Sequence, residues 1–324
     1  MNNIPLVSVI CTTYNHEAHI KYALEGILMQ KTNFPIEIIV HDDASTDRTA
    51  EIIKEYEKKY PNLFFNVYQT VNQYSKNDLN IWGDITFPMS RGKYIAICEG
   101  DDYWTDPNKL QDQVDFMETH SDYVLIHSDV YCVNNLNERI NNIRSIILAL
   151  LKKRRSGVVT NYLVKGNYIM TLTVLILKDA LLEAGSRIVK NNKQVAYIDY
   201  TLFLELSSLG KIYYMSKRTA AYRILFNSAS HSSDLNSRLN FVHSTINISR
   251  FYNQKFAIGL SERYFDRVYL SAQLKELANR KLFLKFFGSF YNGIKLDQIN
   301  IFRIKNYYYF MILLLKIIRR KCTI

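Results

Sequence analysis

Acidic side chains occur in two groups along the chain, and each group directly follows an apolar run of the kind that forms a buried strand. The first group is Asp42 and Asp43, and the second is Glu99, Asp101 and Asp102. Clustered carboxylates repel one another unless a cation neutralises them, and oxygen donors without His or Cys suit Mg²⁺ or Mn²⁺. Such an ion takes one or two carboxylates and completes its shell with substrate phosphates and water. The spacing therefore predicts a site for a nucleoside diphosphate, with the first group on the nucleoside and the second, with the metal, on the diphosphate.

An alternation of strands and helices is predicted to position these acidic groups. The predicted strands are Leu6–Cys11, Ile36–Val40, Leu63–Tyr68, Tyr94–Cys98 and Tyr123–His127. Helical apolar spacing between them predicts an α/β fold with a mostly parallel, doubly wound sheet. Ligands bind such sheets at the carboxyl ends of the strands. We therefore expect both acidic groups and the polar run Thr12–Asn15 to meet at one edge of the sheet.

Other residue patterns bear on this hypothesis. Aspartates at strand ends also form turns and cap helices, and a single Asp-Asp pair is more often of that kind, but two pairs on one sheet favour a ligand site. The turn after the first strand has no glycine, which argues against a dinucleotide fingerprint and against a phosphate-binding loop. The four cysteines have no metal-ligand spacing, and they predict reduced thiols in a cytoplasmic protein rather than a zinc site or a disulfide scaffold.

Three segments of the chain, in this order, resemble the family 2 glycosyltransferases, which have the GT-A fold. They are PLVSVICTTYN, IIVHDDASTDRT and GKYIAICEGDDYWTDPNKLQDQVDF. The similarity covers residues 4–130 closely and residues 160–232 loosely. It implies an inverting glycosyltransferase of the hexosyltransferase type that uses a nucleotide-sugar donor, with a UDP-sugar as the first expectation. It also implies Mn²⁺ or Mg²⁺ as cofactor and a saccharide or lipid-linked acceptor in surface polysaccharide synthesis.

The resemblance implies a role for each matching residue of the donor site. Thr12 and Tyr14 are expected to contact the nucleobase, and Asp43 is expected to contact uracil or the ribose. Asp101 corresponds to the residue that contacts the ribose and the sugar phosphate. Asp102 corresponds to the metal ligand of the Asp-x-Asp type motif.

The catalytic base is expected in a later and looser motif. The resemblance implies that a carboxylate there removes the proton of the acceptor hydroxyl, which requires hydrogen-bond reach to the acceptor. Asp199, ahead of a helical segment, occupies that place and is the predicted base. The alternatives are that Asp199 caps the following helix, or that Asp129 is the base.

Other positions match the family less well. Arg223 and His231 resemble a closing segment whose Arg and His can approach the diphosphate or the metal, although a solvated loop is an equal alternative for His231. Many relatives carry an arginine near the diphosphate before the fourth strand, and here only Lys76 or Arg91 is available. Glu99 stands where the metal motif is often Asp, and both departures leave the donor open.

Basic residues are concentrated in the last third of the chain. Residues 211–324 contain 20 Lys and Arg against 5 Asp and Glu, whereas the whole chain of 324 residues has a formal net charge of +11. The asymmetry suggests an anionic partner for this part, with a solvated basic face as the alternative. We predict a catalytic domain over 1–235, with a nucleotide-binding half over about 1–130 and an acceptor half after it. A basic, amphipathic helical region is predicted over 236–324.

Leu270, Leu274, Leu277 and Leu284 recur at helical spacing in this region, and the apolar run Tyr307–Leu315 is too short to span a bilayer. Basic and aromatic faces of this kind suit an anionic membrane surface. They predict a peripheral contact at the inner face of the cytoplasmic membrane. The alternative for the apolar run is packing into the core or against a second copy of the chain, as in a homodimer.

Two other functions compete with sugar transfer. A nucleotidyltransferase can also place a metal and carboxylates on an α/β sheet, but it normally has an early basic, glycine-containing phosphate loop, which is absent here. A membrane- or nucleic-acid-binding adaptor would use the basic C-terminal half. Because the basic residues are dispersed and no nucleic-acid motif occurs, nucleic acid is not an expected partner.

Overall fold

The computed structural model describes residues 4–76, 80–140, 155–191, 198–225 and 234–279. These residues form two compact units. The first unit contains the described residues up to 163 and those from 167 to 224, and the second contains 164–166 and the described residues from 225 onward. The sheet and the acidic groups belong to the first unit.

Among the described residues, an eight-stranded sheet organises the first unit. Its strands are β1 (Val7–Thr13), β2 (Ile36–Asp42), β3 (Val67–Tyr68), β4 (Tyr94–Ile97), β5 (Tyr103–Trp104), β6 (Tyr123–Val133), β7 (Leu175–Leu177) and β8 (Lys211–Arg223). Their order across the sheet is β3-β2-β1-β4-β7-β6-β8-β5. The strands from β3 to β4 are parallel, β7 is antiparallel to both of its neighbours, and β5 is antiparallel to β8. The predicted α/β fold is confirmed, with a parallel half and a mixed half.

Helices of very different length connect these strands. They are α1 (Ile20–Leu28), α2 (Thr49–Lys59), α3 (Gln73–Lys76), α4 (Phe87–Met89), α5 (Lys109–Thr119), α6 (Thr160–Leu163), α7 (Lys178–Asn191) and α8 (Ile198–Leu209). A π-helical turn, Ile81–Thr86, precedes α4, and a 3₁₀ turn, Thr171–Thr173, precedes β7.

The core of the first unit lies between the central strands and the helices that cover them. Ile20, Leu24 and Ile27 of α1 recur at helical spacing and are fully buried, as the apolar pattern predicts. They join one apolar cluster with residues of β1, β2 and β4, such as Val9 and Val40. Strands this apolar require cover on both faces, which explains why their polar residues are found mainly at their ends.

Two strands differ in extent from the prediction. The predicted third strand, Leu63–Tyr68, is reduced to the two residues of β3, and Phe64 contributes one isolated bridge to Ile38. The strand predicted over Tyr123–His127 continues to Val133 because it pairs in parallel with the long strand β8. Pairing with a distant strand is not visible in a local apolar pattern.

Two further helices make up most of the described part of the second unit. Helices α9 (Leu235–Lys255) and α10 (Glu262–Asn279) pack against each other. The predicted leucines Leu270, Leu274 and Leu277 are buried in α10. Within the described ranges, none of the helices combines the length and the apolarity needed to cross a membrane. Leu284 and the run Tyr307–Leu315 lie outside the described residues.

Candidate active site

The last two residues of β1 join both acidic groups. The backbone carbonyl of Thr13 accepts a hydrogen bond from the N–H of Asp43 at 3.0 Å, and the carbonyl of Thr12 accepts one from the N–H of Gly100 at 2.9 Å. The sheet register places Thr13 beside Asp42 at the carboxyl end of the parallel half. The structure therefore brings the two acidic groups to one edge of the sheet, at adjacent strand ends.

The turns after β1 and β2 are tied together by side-chain hydrogen bonds. Asn15 adopts a positive φ of 54°, which Asn tolerates better than most residues. Its amide oxygen accepts a hydrogen bond from the N–H of Thr46 at 2.8 Å, and its own N–H donates to the hydroxyl of Ser45 at 2.9 Å. These hydrogen bonds therefore hold the two turns together at the edge of the sheet where a ligand would bind.

Asp43 is buried and its carboxylate is engaged by the protein. Its two carboxylate oxygens accept the backbone N–H groups of Gln73 at 2.7 Å and Tyr74 at 3.0 Å, which are the first residues of α3. Each carboxylate oxygen retains a second lone pair that a ligand can use. Thr12 is half-buried, whereas Tyr14, the residue directly after β1, is 42% exposed.

The second acidic group forms a tight loop against β1. Asp102 donates its N–H to the carbonyl of Glu99 at 3.0 Å, which closes the turn. Gly100 has no room for a side chain, because an added Cβ would lie 2.6 Å from the Thr13 hydroxyl oxygen and 2.7 Å from the Thr13 Cβ. Glycine at this position therefore lets the acidic loop, defined here as residues 99–102, touch the end of β1.

Burial and mutual repulsion disfavour the charged forms of two carboxylates of the acidic loop, Glu99 and Asp102. Burial, followed by the charge of Asp101 and a smaller contribution from Asp199, raises the pKa of Glu99 to about 8. Burial raises the pKa of Asp102 well above its ordinary range, and the charges of Asp101 and Glu99 raise it further. A backbone hydrogen bond from Arg223 and its positive charge oppose the shift at Asp102.

These residues fit a divalent cation. The Oε2 atom of Glu99 is buried without a hydrogen-bond partner in the described structure, and the only hydrogen bond found there for the Asp102 carboxylate engages Oδ1. Within the same residues, no group of three or more His, Cys, Asp or Glu side chains forms a complete metal site. A hard cation that takes one or two carboxylates and fills its shell with diphosphate oxygens matches this set of donors.

Arg223 lies beside the acidic loop, but its guanidinium is directed at the protein. The side chain is 2% exposed, and its Nε donates to the carbonyl of Asp101 at 2.7 Å. Its terminal nitrogens donate to the carbonyl of Asn134 at 3.0 Å and to the amide oxygen of Asn137 at 2.7 Å. These contacts were not expected for a residue predicted to bind the substrate.

Asp199, the predicted base, has an electrostatic link to the acidic loop. It occupies the first turn of α8, and its negative charge contributes to the raised pKa of Glu99. Burial also raises the pKa of Asp199 itself, and a hydrogen bond from the backbone N–H of Tyr200 partly opposes this shift. Asp129 lies on β6 and accepts a hydrogen bond from the Tyr214 hydroxyl at 2.8 Å.

Of the three remaining candidate residues, Arg91 lies elsewhere, Lys76 is exposed, and His231 lies outside the described residues. The Nε and Nη2 atoms of Arg91 both contact Oε2 of the buried Glu37 carboxylate, at 2.7 and 2.6 Å. Glu37 is near the start of β2, at the end of the strand opposite to the acidic groups, so Arg91 does not reach the candidate site. Lys76 is exposed at the end of α3, and His231 lies outside the described residues.

His16 belongs to the site and was not expected from the sequence. Its Nδ1 lies 3.1 Å from the Thr13 hydroxyl, and its backbone N–H donates to the Thr49 hydroxyl at 2.8 Å. Burial lowers the pKa of His16, although the nearby charge of Asp101 acts in the opposite direction. In the sequence, its position directly after Asn15 was the available signal, but its proximity to the charge of Asp101 depends on the fold.

A comparison with protein families identifies the chain. The family model described as Glycosyl transferase family 2 matches residues 8–171, which is just over half of the sequence. The chain belongs to glycosyltransferase family 2. The matched range contains β1 except Val7, both acidic groups and Asp129, whereas Asp199 and Arg223 lie beyond it.

Curated relatives match between 35% and 39% of the chain. An uncharacterized protein of Mycobacterium bovis is 43% identical over 116 residues, which cover 35% of this chain and 32% of that protein. The putative glycosyltransferase EpsE of Bacillus subtilis is 36% identical over 127 residues, covering 39% and 43%. WfaP of Escherichia coli, named a UDP-Glc:alpha-D-GlcNAc-diphosphoundecaprenol beta-1,3-glucosyltransferase, is 35% identical over 114 residues, covering 35% and 42%. The chain thus spans less than half the length of each of these relatives.

Solved structures share the fold over most of the chain. The mannosyltransferase PcManGT from Pyrobaculum calidifontis, in complex with GDP-Man and Mn²⁺, aligns with a TM-score of 0.57 at 14% identity and covers 96% of this chain and 86% of that one. TarS 1–349 of S. aureus, in complex with UDP-GlcNAc, aligns with a TM-score of 0.55 at 16% identity and covers 84% and 72%. These alignments confirm the GT-A fold that was expected.

Proposed function

We propose that this family 2 protein is an inverting glycosyltransferase that transfers a hexose from a nucleoside diphosphate sugar to a saccharide or lipid-linked acceptor. The observation that carries the proposal is the meeting of Asp43 and the acidic loop at the end of β1, through the carbonyls of Thr13 and Thr12. Asp43 suits the nucleoside, and the acidic loop suits the diphosphate. Asp199, whose charge acts on Glu99, supplies a carboxylate for the acceptor.

The donor proposed first is a UDP-sugar. Tyr14 and Thr12 would contact the base, Asp43 would accept from uracil or ribose through its remaining lone pairs, and Asp101 would contact the ribose and the sugar phosphate. The solved structures with the same fold were obtained with UDP-GlcNAc and with GDP-Man, which supports a nucleotide-sugar donor but leaves the base to be tested.

In the proposed reaction, the Asp199 carboxylate takes the proton of the acceptor hydroxyl while that oxygen forms a bond to the anomeric carbon from the face opposite the diphosphate. The bond from the anomeric carbon to the diphosphate oxygen breaks, and the nucleoside diphosphate leaves with the electron pair. The raised pKa of Asp199 makes it a stronger base than an exposed aspartate. A Mn²⁺ or Mg²⁺ ion held by Asp102 would stabilise the charge that grows on the leaving diphosphate.

A transfer assay tests this function. The purified chain is incubated with Mn²⁺ and one UDP- or GDP-sugar at a time, together with a lipid diphosphate-linked saccharide, and release of the nucleoside diphosphate is measured. We expect release with at least one donor, and release at background level from the Asp102→Asn variant. Background release from the native chain with every donor would count against the proposal.

The acceptor proposed first is a saccharide on a lipid diphosphate, in the synthesis of a bacterial surface polysaccharide. The support is the name of the relative WfaP, whose acceptor is a diphosphoundecaprenol-linked sugar. The excess of basic residues after residue 210 also supports a lipid-linked acceptor, because such an acceptor lies at an anionic membrane surface.

The same excess supports a peripheral contact with the inner face of the cytoplasmic membrane. Co-sedimentation with vesicles of neutral lipid, and of the same lipid with added anionic lipid, measures this contact. We expect binding only to the anionic vesicles and a decrease when Arg319, Arg320 and Lys321 are changed to Gln. Equal binding to both vesicle types, or no binding, would contradict a charge-driven contact.

A further inference from the structure

Arg223 connects the acidic loop to a turn that contains no candidate substrate contact. It is the last residue of β8, and its backbone N–H donates to the Oδ1 of Asp102 at 2.7 Å. Its side-chain Nε donates to the carbonyl of Asp101 at 2.7 Å. One residue therefore holds two neighbouring members of the acidic loop, one through its backbone and one through its side chain.

The rest of the guanidinium is used on the turn over residues 134–138. Nη1 donates to the carbonyl of Asn134 at 3.0 Å, and Nη2 donates to the amide oxygen of Asn137 at 2.7 Å. The rings of Tyr22 and Tyr103 lie 5.8 and 5.7 Å from the guanidinium carbon. A planar guanidinium presents five N–H donors in a fixed geometry, and most of these are used within the protein.

The turn that receives the guanidinium is itself well ordered by local contacts. The amide oxygen of Asn134 accepts the N–H groups of Leu136 at 2.9 Å and Glu138 at 3.0 Å. Asn137 has a positive φ of 63°, a conformation in which Asn or Gly is favoured. The turn therefore presents the Asn137 amide oxygen to Arg223 from a fixed backbone.

We propose that Arg223 is a positioning residue that fixes the acidic loop by tying it to the turn over 134–138, and that it is not a ligand of the donor diphosphate. The argument for the tie is the set of hydrogen bonds that Arg223, a residue 2% exposed, makes to both the acidic loop and the turn. Its consequence for catalysis rests on the function proposed above. A loop fixed in this way keeps Asp101 and Asp102 in the geometry that binds the donor. The loop therefore loses little conformational entropy when the donor binds.

Asn137→Gly is the sharpest test, because glycine accepts the positive φ and the substitution removes the side chain whose amide oxygen Arg223 contacts. Asn137→Asp keeps an oxygen at this position and should behave as the native chain does. Leu136→Ala, in the same turn, is the matched control because Leu136 is 75% exposed and has no contact with Arg223 in the described structure. Arg223→Gln is more severe, but a buried substitution can impair folding.

The first measurement is amide hydrogen exchange of the unliganded chain. The N–H groups of Gly100 and Asp102 are hydrogen-bonded within the site, so their exchange reports on the order of the acidic loop. We expect Asn137→Gly to accelerate it about three- to tenfold, which corresponds to the loss of one net hydrogen bond. Asn137→Asp and Leu136→Ala should leave it unchanged. Unchanged exchange in Asn137→Gly would overturn the proposed tie.

The second measurement is titration of Mn²⁺, followed by electron paramagnetic resonance in the presence of UDP. A positioning role predicts weaker Mn²⁺ binding in Asn137→Gly by a similar factor, with recovery in Asn137→Asp. A guanidinium that bound the diphosphate directly would be released by Asn137→Gly, and nucleotide binding would stay equal or increase, which would overturn the proposal. Failure of the native chain to bind any nucleotide would instead contradict the proposed function. The exchange experiment distinguishes this outcome from a failure of the proposed tie, because it is done on the unliganded chain.

Discussion

Asp199 is the residue on which sugar transfer, as distinct from donor binding, depends in this account. Asp199→Asn keeps the size of the side chain and removes its ability to take a proton. We expect the turnover number to fall by about 10²- to 10⁴-fold, the usual range for a general base, with unchanged affinity for the donor. Steady-state kinetics and a separate nucleotide titration measure the two effects.

The matched variant for this prediction is Asp129→Asn, which removes the rival carboxylate on β6. We expect it to retain transfer within a few-fold of the native chain, because Asp129 is engaged by the Tyr214 hydroxyl. If Asp129→Asn loses transfer and Asp199→Asn keeps it, the two assignments must be exchanged.

Lys109 is a second residue whose environment leads to a measurable prediction. It is fully buried, its Nζ donates to the Gln113 amide oxygen at 2.8 Å, and it lies 4.3 Å from the centre of the Trp104 ring. Burial lowers the pKa of Lys109 to about 7. The Lys109 amine is protonated up to about pH 10 in the unfolded chain, but only up to about pH 7 in the folded chain. Because the unfolded chain binds more protons between these values, the free energy of unfolding rises with pH there.

Lys109→Met removes this group at similar volume. We expect the slope of the free energy of unfolding between pH 7 and 9 to be less positive in the variant than in the native chain, as measured by urea denaturation. Lys58→Met, on the exposed side of α2, is the control and should leave the slope unchanged. Equal slopes in the native chain and in Lys109→Met would show that the buried amine does not titrate as stated.

At the scale of elements, the close approach of the acidic loop to β1 depends on Gly100. Gly100→Ala places a Cβ 2.6 Å from the Thr13 hydroxyl oxygen and 2.7 Å from its Cβ, so the loop must move away from the strand. Overpacking of this kind destabilises a fold by about 1–3 kcal/mol. We expect a lower melting temperature together with weaker binding of UDP, measured by thermal denaturation and nucleotide titration.

Gly185→Ala provides the comparison for this variant. Gly185 lies inside α7, and a Cβ added there would meet no atom within 4 Å. Because alanine favours a helix more than glycine does, we expect equal or higher stability and unchanged binding of UDP. A loss of stability in Gly185→Ala as large as that in Gly100→Ala would indicate that steric contact with Thr13 is not the cause.

Elements whose pattern is local could be predicted from the sequence. The apolar runs that became β1, β2 and β4, and the helical spacing of Ile20, Leu24 and Ile27, are fixed by which side chains must be buried. The strand β7 was not predicted, since its three residues become a strand only by pairing with β4 and β6.

The same distinction explains the site residues. The two acidic groups are recognisable because they follow predicted strands, so the edge on which they meet follows from the parallel arrangement. The contacts of Arg91 with Glu37 and of Arg223 with Asn137 link positions 54 and 86 residues apart. Whether an arginine serves a substrate or the fold depends on such distant partners, and a motif alone cannot supply them.

At the scale of the whole molecule, the sheet unit contains the proposed donor site, and a second unit carries α9 and α10. The burial of Leu270, Leu274 and Leu277 means that these leucines are not available to a membrane surface. The proposed contact with an anionic membrane therefore has to depend on basic residues rather than on this leucine stripe.

Calorimetric titration of the native chain with UDP, in the presence and absence of Mn²⁺, tests the central claim most directly. We expect Mn²⁺ to increase the affinity for UDP at least about tenfold, because a charge-assisted contact contributes roughly 1.5–3 kcal/mol. The increase should be absent in Asp102→Asn and retained in Asp199→Asn. Failure of the native chain to bind either UDP or GDP, or equal binding by Asp102→Asn with and without Mn²⁺, would contradict the account of the acidic loop.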